Sequence, residues 1–229
     1  MAQTILITGA GRGIGLALAH ILTHREAHTV IGTLRNPKDA QQADALKALG
    51  AEIESLDVSD DASIAALGER LKGRPIDVLV NNAGVSSTQS RLADLTGEEL
   101  RRVFQINAFA PMLVTRALMP SLRAGTRKVV MNISSQLGSI ANNRGGSSYP
   151  YRASKSALNQ LTRSQSAELA PDGFTCFIVH PGWVKTDMGG PGAPLSPEDS
   201  AAALADRLEK AEPEINGKFL NYDGKEIAW

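Results

Sequence analysis

Thr4-Ile5-Leu6-Ile7-Thr8-Gly9-Ala10-Gly11-Arg12-Gly13-Ile14-Gly15 is a short apolar run that passes straight into a glycine-rich turn. The run reads as a buried strand, and the glycines open a helix from about Gly15 to Thr23. Glycines at such a junction let the backbone turn tightly and approach a diphosphate, which rests on the positive helix N-terminus. Counted from Gly9, the spacing G-x-G-x-x-G fails because Ile14 stands at its third glycine. What fits is G-x-x-x-G-x-G at Gly9, Gly13 and Gly15. Alone, such a turn also serves purely structural strand-to-helix junctions.

The pattern outward from this turn repeats. Thr29-Val30-Ile31-Gly32-Thr33 is the next strand, followed by a helix with Ala43, Leu46 and Leu49 on one face. Glu52 to Leu56 and Asp77 to Val80 are strands flanking a helix that carries Ile64, Leu67 and Leu71. Lys128 to Ile133 and Thr175 to Val179 add two more. Alternating helices and near-continuously apolar strands imply an α/β fold, a doubly wound (Rossmann) parallel sheet of about seven strands with helices on both faces. Residues 1–229 read as one domain. Thr96 and Glu99 form a capping box ahead of a helical stretch to about Arg123, and a second long helix runs from Tyr151 to Ala170. Ser196-Pro197-Glu198-Asp199 places an N-cap, an N1 proline and first-turn acids in order.

Composition removes several function classes. Lys plus Arg and Asp plus Glu both number 24, so no net charge draws the chain to nucleic acid or an anionic membrane. No apolar stretch approaches the ~18 residues of a membrane span. The N-terminus lacks the basic start and apolar core of a signal peptide, which points to a cytoplasmic protein. Cys176 is the only cysteine and lies in an apolar run, where it reads as a small buried hydrophobe. His20, His24 and His28 are not arranged with carboxylates or cysteine, so no metal site is expected. His180, at the end of the sixth strand, reads as structural.

Cofactor choice rests on the end of the second strand. An acid there would bond the ribose 2′-hydroxyl of NAD, whereas arginine accommodates the 2′-phosphate of NADP. Thr29 through Arg35 contains no acid, and Arg35 follows the strand directly. Arg12, inside the glycine turn, offers a second positive charge. The expectation is NADP(H).

With these residues in view, the sequence resembles the short-chain dehydrogenase/reductase family over almost its whole length. Asn81-Asn82-Ala83-Gly84 follows the fourth strand, Asp57-Val58 the third, Ile133-Ser134-Ser135 ends the fifth, and Pro181-Gly182 follows the sixth. Tyr151-Arg152-Ala153-Ser154-Lys155 supplies Tyr-x-x-x-Lys. Within the family the chain is similar to small carbonyl reductases of the sniffer and C-factor type. That likeness rests on Tyr151 to Asn159, the Arg35-Asn36-Pro37 turn and the Asp223-Gly224 to Trp229 ending. The resemblance implies cofactor contacts at Gly9, Arg12, Gly13, Ile14, Gly15, Arg35, Asp57, Val58, Asn81, Ala83, Gly84, Tyr151, Lys155, Pro181, Gly182, Val184 and Thr186. It also implies a homodimer, built through the two long helices.

Hydride transfer to a carbonyl builds negative charge on oxygen, which needs an acid and hydrogen-bond donors. Tyr151 is the candidate acid. Lys155 lies four residues on, hence on the same helical face, and its charge is expected to lower the tyrosine pKa toward neutrality. The resemblance gives this lysine a second task, holding the nicotinamide ribose. Ser135, followed by Gln136-Leu137-Gly138, fits the family serine that bonds the substrate oxygen, leaving Ser134 to turn structure. Asn107 matches the family asparagine that holds a proton-feeding water, and it also reads as a residue satisfying a backbone group at a helix kink. Tyr149 is a decoy for the acid, since Ala153 stands four residues after it, and it is placed with Trp183 and Met188 in the substrate pocket.

The loop from Met188 to Leu195 is short and glycine-rich, so its ordering over a substrate is expected to be entropically costly and the pocket open and undemanding. The leading reading is an NADP-dependent carbonyl reductase. An NAD-linked alcohol, sugar or steroid dehydrogenase is the enzymatic alternative, and a nucleotide-binding signalling protein of the C-factor kind is the alternative from another class.

Overall fold

The computed structural model describes residues 2–25 and 28–229. Seven strands, β1 (Thr4–Ile7), β2 (Thr29–Leu34), β3 (Glu52–Ser55), β4 (Val78–Asn81), β5 (Val129–Ile133), β6 (Thr175–His180) and β7 (Phe219–Asn221), form one sheet. Every pairing is parallel and the order is β3-β2-β1-β4-β5-β6-β7. β7, unnamed by the sequence reading, completes the expected seven.

Successive side chains on a strand face opposite sides, so each strand feeds two cores. Ile5, Ile7, Val78, Val80, Val129, Met131, Phe177 and Val179 point to one face. There they meet α1 (Gly13–Arg25), α2 (Ala40–Ala48) and α7 (Pro197–Glu209) through Leu18, Leu22, Leu46, Leu204 and Leu208. Leu6, Leu79, Val130 and Cys176 point to the other. That face is covered by α3 (Asp61–Arg70), α5 (Ala110–Ala124) and α6 (Tyr149–Leu169), through Ile64, Leu67, Val114, Leu118 and Leu169. Each fully buried aliphatic side chain contributes about 1.5–3 kcal/mol relative to exposure. No helix among the described residues is long and apolar enough to cross a membrane.

Three local readings change. The capping box is half made: Thr96 Oγ1 accepts from the Glu99 amide at 3.2 Å, but the Thr96 amide donates to Gln89 Oε1 and the Glu99 carboxylate turns to Arg102. The helical stretch from Thr96 is also not uniform. α4 (Gly97–Phe104) and α5 are joined by one π-helical turn, Gln105–Phe109, with Asn107 at its centre. Asp77 precedes β4 rather than starting it and acts as a clip, accepting from the Thr4 amide at 2.8 Å and from the amide and hydroxyl of Thr126 at 2.8 and 2.9 Å.

Candidate active site

The strand order reverses between β1 and β4, and ligands of such sheets bind beyond the strand C-termini at that point. A cleft of about 810 Å³ lies there, running from Arg35 and Asp57 past the glycine turn to Tyr151 and Lys155. Its floor is tied by Thr8 Oγ1, which accepts from the amides of Asn82 and Ala83, both at 3.0 Å. Asn82 Nδ2 returns bonds to the carbonyls of Thr8 and Gly9 at 2.9 and 3.1 Å. A Cβ on Gly15 would sit 2.5 Å from Gly9 O and 2.6 Å from Asn82 Nδ2, so only glycine lets α1 begin this close to the turn. Gly9, Gly13, Ile14 and Gly15 all line the cleft, as the glycine spacing requires of a diphosphate cradle.

At the β2–β3 end, Arg35, Asp57 and Val58 line the cleft together. Burial would raise the Asp57 pKa, but the Ser59 hydroxyl and amide and the charge of Arg35 hold it below its ordinary value. Arg12 is exposed and pairs across the mouth with Asp187. This end can take the adenosine part of a dinucleotide and a phosphate on its ribose, with Arg35 free to meet it.

At the far end, α6 is fastened to the tip of β5 by polar contacts. Thr162 Oγ1 accepts from Asn132 Nδ2 at 2.9 Å, Lys155 Nζ donates to Ile133 O at 2.8 Å, and Asn159 Oδ1 accepts from Ser134 Oγ at 2.7 Å. The Ser134 hydroxyl is thereby committed to structure. Ser135 falls outside the cleft lining that Ser134 joins, but its hydroxyl acts on the Tyr151 phenol, and its Oγ accepts from the Leu137 amide at 3.1 Å. Lys155 Nζ lies 5.9 Å from the centre of the Tyr151 ring.

The charge balance differs from the sequence expectation. Burial raises the Tyr151 pKa, and the Ser135 hydrogen bond offsets only part of that. Burial also lowers the Lys155 pKa, to about 8, so the lysine keeps its charge at neutral pH, yet the burial of the phenol prevails. Tyr151 therefore keeps its proton through neutral pH, the state a proton donor needs. Asn107 is buried, and its side chain makes three bonds to protein: Oδ1 accepts from the Val85 amide, while Nδ2 donates to Val85 O and Ser154 Oγ. The backbone-bracing reading accounts for the two to Val85, and the third ties the turn to α6 through the Ser154 hydroxyl.

The loop after β6 is not loose. Val184 and Leu195 pair, Lys185 N–H donates to Leu195 O, Leu195 N–H to Trp183 O, and Gly190 N–H to Thr186 O. Trp183 Nε1 donates to Gly189 O at 2.8 Å, and Ala193 is buried. A Cβ on Gly189 would overlap the Val184 carbonyl oxygen, so this glycine serves closure rather than freedom. The expected entropic cost of ordering the loop falls away. Met188, Pro181 and Thr186 line the cleft, whereas Trp183 and Tyr149 stand beyond it, both partly exposed.

Asn81, expected among the cofactor contacts, is a correction. It shares its strand face with Leu79 and so points toward α5, where Nδ2 donates to Asn132 Oδ1, Thr115 Oγ1 and Pro111 O. Asn82 lies at the cleft instead, and counting by two along β4 would have separated the neighbours. Gly182 and Val184 also fall outside the cleft lining, which Ala83, Gly84 and Lys185 join. Gly182 turns the chain at a φ of 89°, and Val184 is buried under the loop it pairs with. His180 is buried, its pKa lowered to about 4 by desolvation, away from the reacting groups. No group of three or more metal-ligating side chains occurs among the described residues.

Comparison with known proteins adds the family. The model of the short chain dehydrogenase family matches residues 3–193. C-signal of Myxococcus xanthus is 45% identical over 155 residues, 68% of this chain and 93% of that protein. The solved carbonyl reductase Sniffer of D. melanogaster superposes with a TM-score of 0.93 at 34% identity, all of both chains covered. An NADPH-bound carbonyl reductase from chicken fatty liver gives a TM-score of 0.92 at 36% identity, covering 100% of this chain and 99% of its own.

Proposed function

Because the chain belongs to the short-chain dehydrogenase family, an oxidoreductase family, we propose that it uses NADP(H) to reduce aldehydes or ketones to alcohols, with Tyr151 as proton donor. One observation carries this reading: Tyr151, backed by Lys155, stands at one end of a cleft whose other end presents Arg35. The NADPH-bound chicken carbonyl reductase supports the choice of cofactor.

The glycine turn would hold the diphosphate, Arg35 and Arg12 the 2′-phosphate, and Asp57 and Val58 the adenine. The bound dinucleotide supplies the hydride for the carbonyl carbon. Ser135 and Tyr151 then share the carbonyl oxygen, and Tyr151 gives it the proton that completes the alcohol. Lys155, charged below a pH of about 8, stabilises the phenolate this leaves. Asn107 positions the Val85 backbone and Ser154 around that pair.

Initial rates over a panel of aldehydes and ketones, with NADPH and with NADH, test the proposal. Turnover with several carbonyl compounds and a preference for NADPH are expected. Tyr151→Phe should lower kcat by about 10²–10⁴-fold while leaving NADPH binding intact. Arg35→Ala should raise KM for NADPH far more than for NADH, since only the former bears the 2′-phosphate. Undiminished turnover in Tyr151→Phe would falsify the role of the phenol. NADPH binding with no turnover on any panel member would favour a signalling role of the kind the C-signal likeness suggests.

A further inference from the structure

A second cavity, of about 610 Å³, lies between the turn after β5, the first turn of α6 and the tail beyond β7. It shares no lining residue with the dinucleotide-sized cleft. Arg144 and Arg152 line it, with the carboxamides of Gln136, Asn142 and Asn221. Its two other charged residues are spent on neighbours: Lys225 pairs with Asp223 at 3.2 Å, and Glu226 pairs with Lys218. The arginines are not. The Nε of Arg152 is buried without a hydrogen-bond partner, and neither guanidinium has an ion pair among the described residues.

Arg152 also stands where a cation is unfavourable. It occupies the first turn of α6, which contains no acid and whose N-cap, Ser148, makes no side-chain capping bond. The positive end of the helix dipole is thus reinforced rather than balanced. An oxyanion in the cavity would answer both guanidinia at once, through the paired N–H groups that arginine presents to planar or tetrahedral oxyanions, with carboxamide N–H groups to spare.

We propose that this cavity is a binding site for a small oxyanion, a phosphate or carboxylate group, separate from the dinucleotide cleft. The anion is either free or carried by a carbonyl compound long enough to reach from Tyr151 round the first turn of α6, where Arg152 faces the second cavity.

The test is a titration of inorganic phosphate into the NADP⁺-saturated protein, followed by backbone amide chemical shifts. Saturable shifts at Gly145, Arg152 and Lys225 are expected, with affinity weaker by about tenfold or more in R144E and in R152Q. Arg144 is on an exposed loop, so R144E keeps the fold even where R152Q disturbs α6. The shifts report binding whether or not the carbonyl reaction is correct. Phosphate that competes with a carboxylate-bearing aldehyde but not with a neutral one places the anion on the substrate. Phosphate that binds without competing with either places it on a free ligand. Absence of saturable shifts, or shifts indifferent to R144E, overturns the proposal.

Discussion

Lys155 is buried with one hydrogen bond, to a main-chain carbonyl, and burial lowers its pKa from 10.5 to about 8. Below pH 8 the folded chain must keep this charge out of water, which opposes stability. Between about 8 and 10.5 the unfolded chain binds more protons at this site, so this lysine makes the wild type gain stability as pH rises through that window. Lys155→Met should accordingly raise Tm at pH 7 in the absence of cofactor, abolish turnover, and lose its thermal advantage as pH approaches 10. A variant less stable than wild type at pH 7, by calorimetry, would contradict this. The residue types of the site were legible because each sits at a strand end or on one helical face. The proton balance was not, because burial depends on everything packed around the pair.

Elements are legible in the sequence where periodicity is strong and hidden where it is weak. β7 has three residues, too few for alternation to register, and only Phe219 and Leu220 are buried. The π turn at Gln105–Phe109 has no periodic signature, and Asn107, the kink residue that meets Val85 and Ser154, is its one mark in the sequence. The glycines of the loop after β6 suggest freedom by composition alone, whereas Gly189 makes room for the Val184 carbonyl. Gly189→Ala should open this loop, raising KM for carbonyl compounds several-fold with little change in the Kd for NADPH; an unchanged KM would show that the loop plays no part in holding them. Asp77 is a second element-scale test. Burial would raise its pKa, but the Thr4 and Thr126 amides and the Thr126 hydroxyl hold it below 3.8. Its stabilisation is therefore present above that value and is lost as pH falls through the lower folded pKa. Asp77→Asn turns donors toward donors and should cost about 1–3 kcal/mol. A denaturation midpoint equal to wild type at pH 7 would remove the clip.

At the scale of the whole molecule, the doubly wound sheet followed from strand–helix alternation alone, whereas assembly did not, because amphipathic helices do not announce which exposed face has a partner. α5 and α6 remain the expected twofold surface, and Phe109, at 46% exposure on the turn leading into α5, is an apolar group such a surface would cover. Light scattering at micromolar concentration should give the mass of a homodimer for the wild type and of a monomer for Phe109→Glu. A monomeric wild type ends the idea.

The hydrogen-bonded loop after β6 also bears on timing. Lids that fold over a substrate add a slow motion to each turnover, and that motion often limits kcat. A loop already closed on itself has little left to rearrange, so the transfer of hydrogen should be exposed as the slow event. NADPH deuterated at the transferred position should then show a primary isotope effect on kcat close to that on kcat/KM. Added viscogen should leave kcat nearly unchanged.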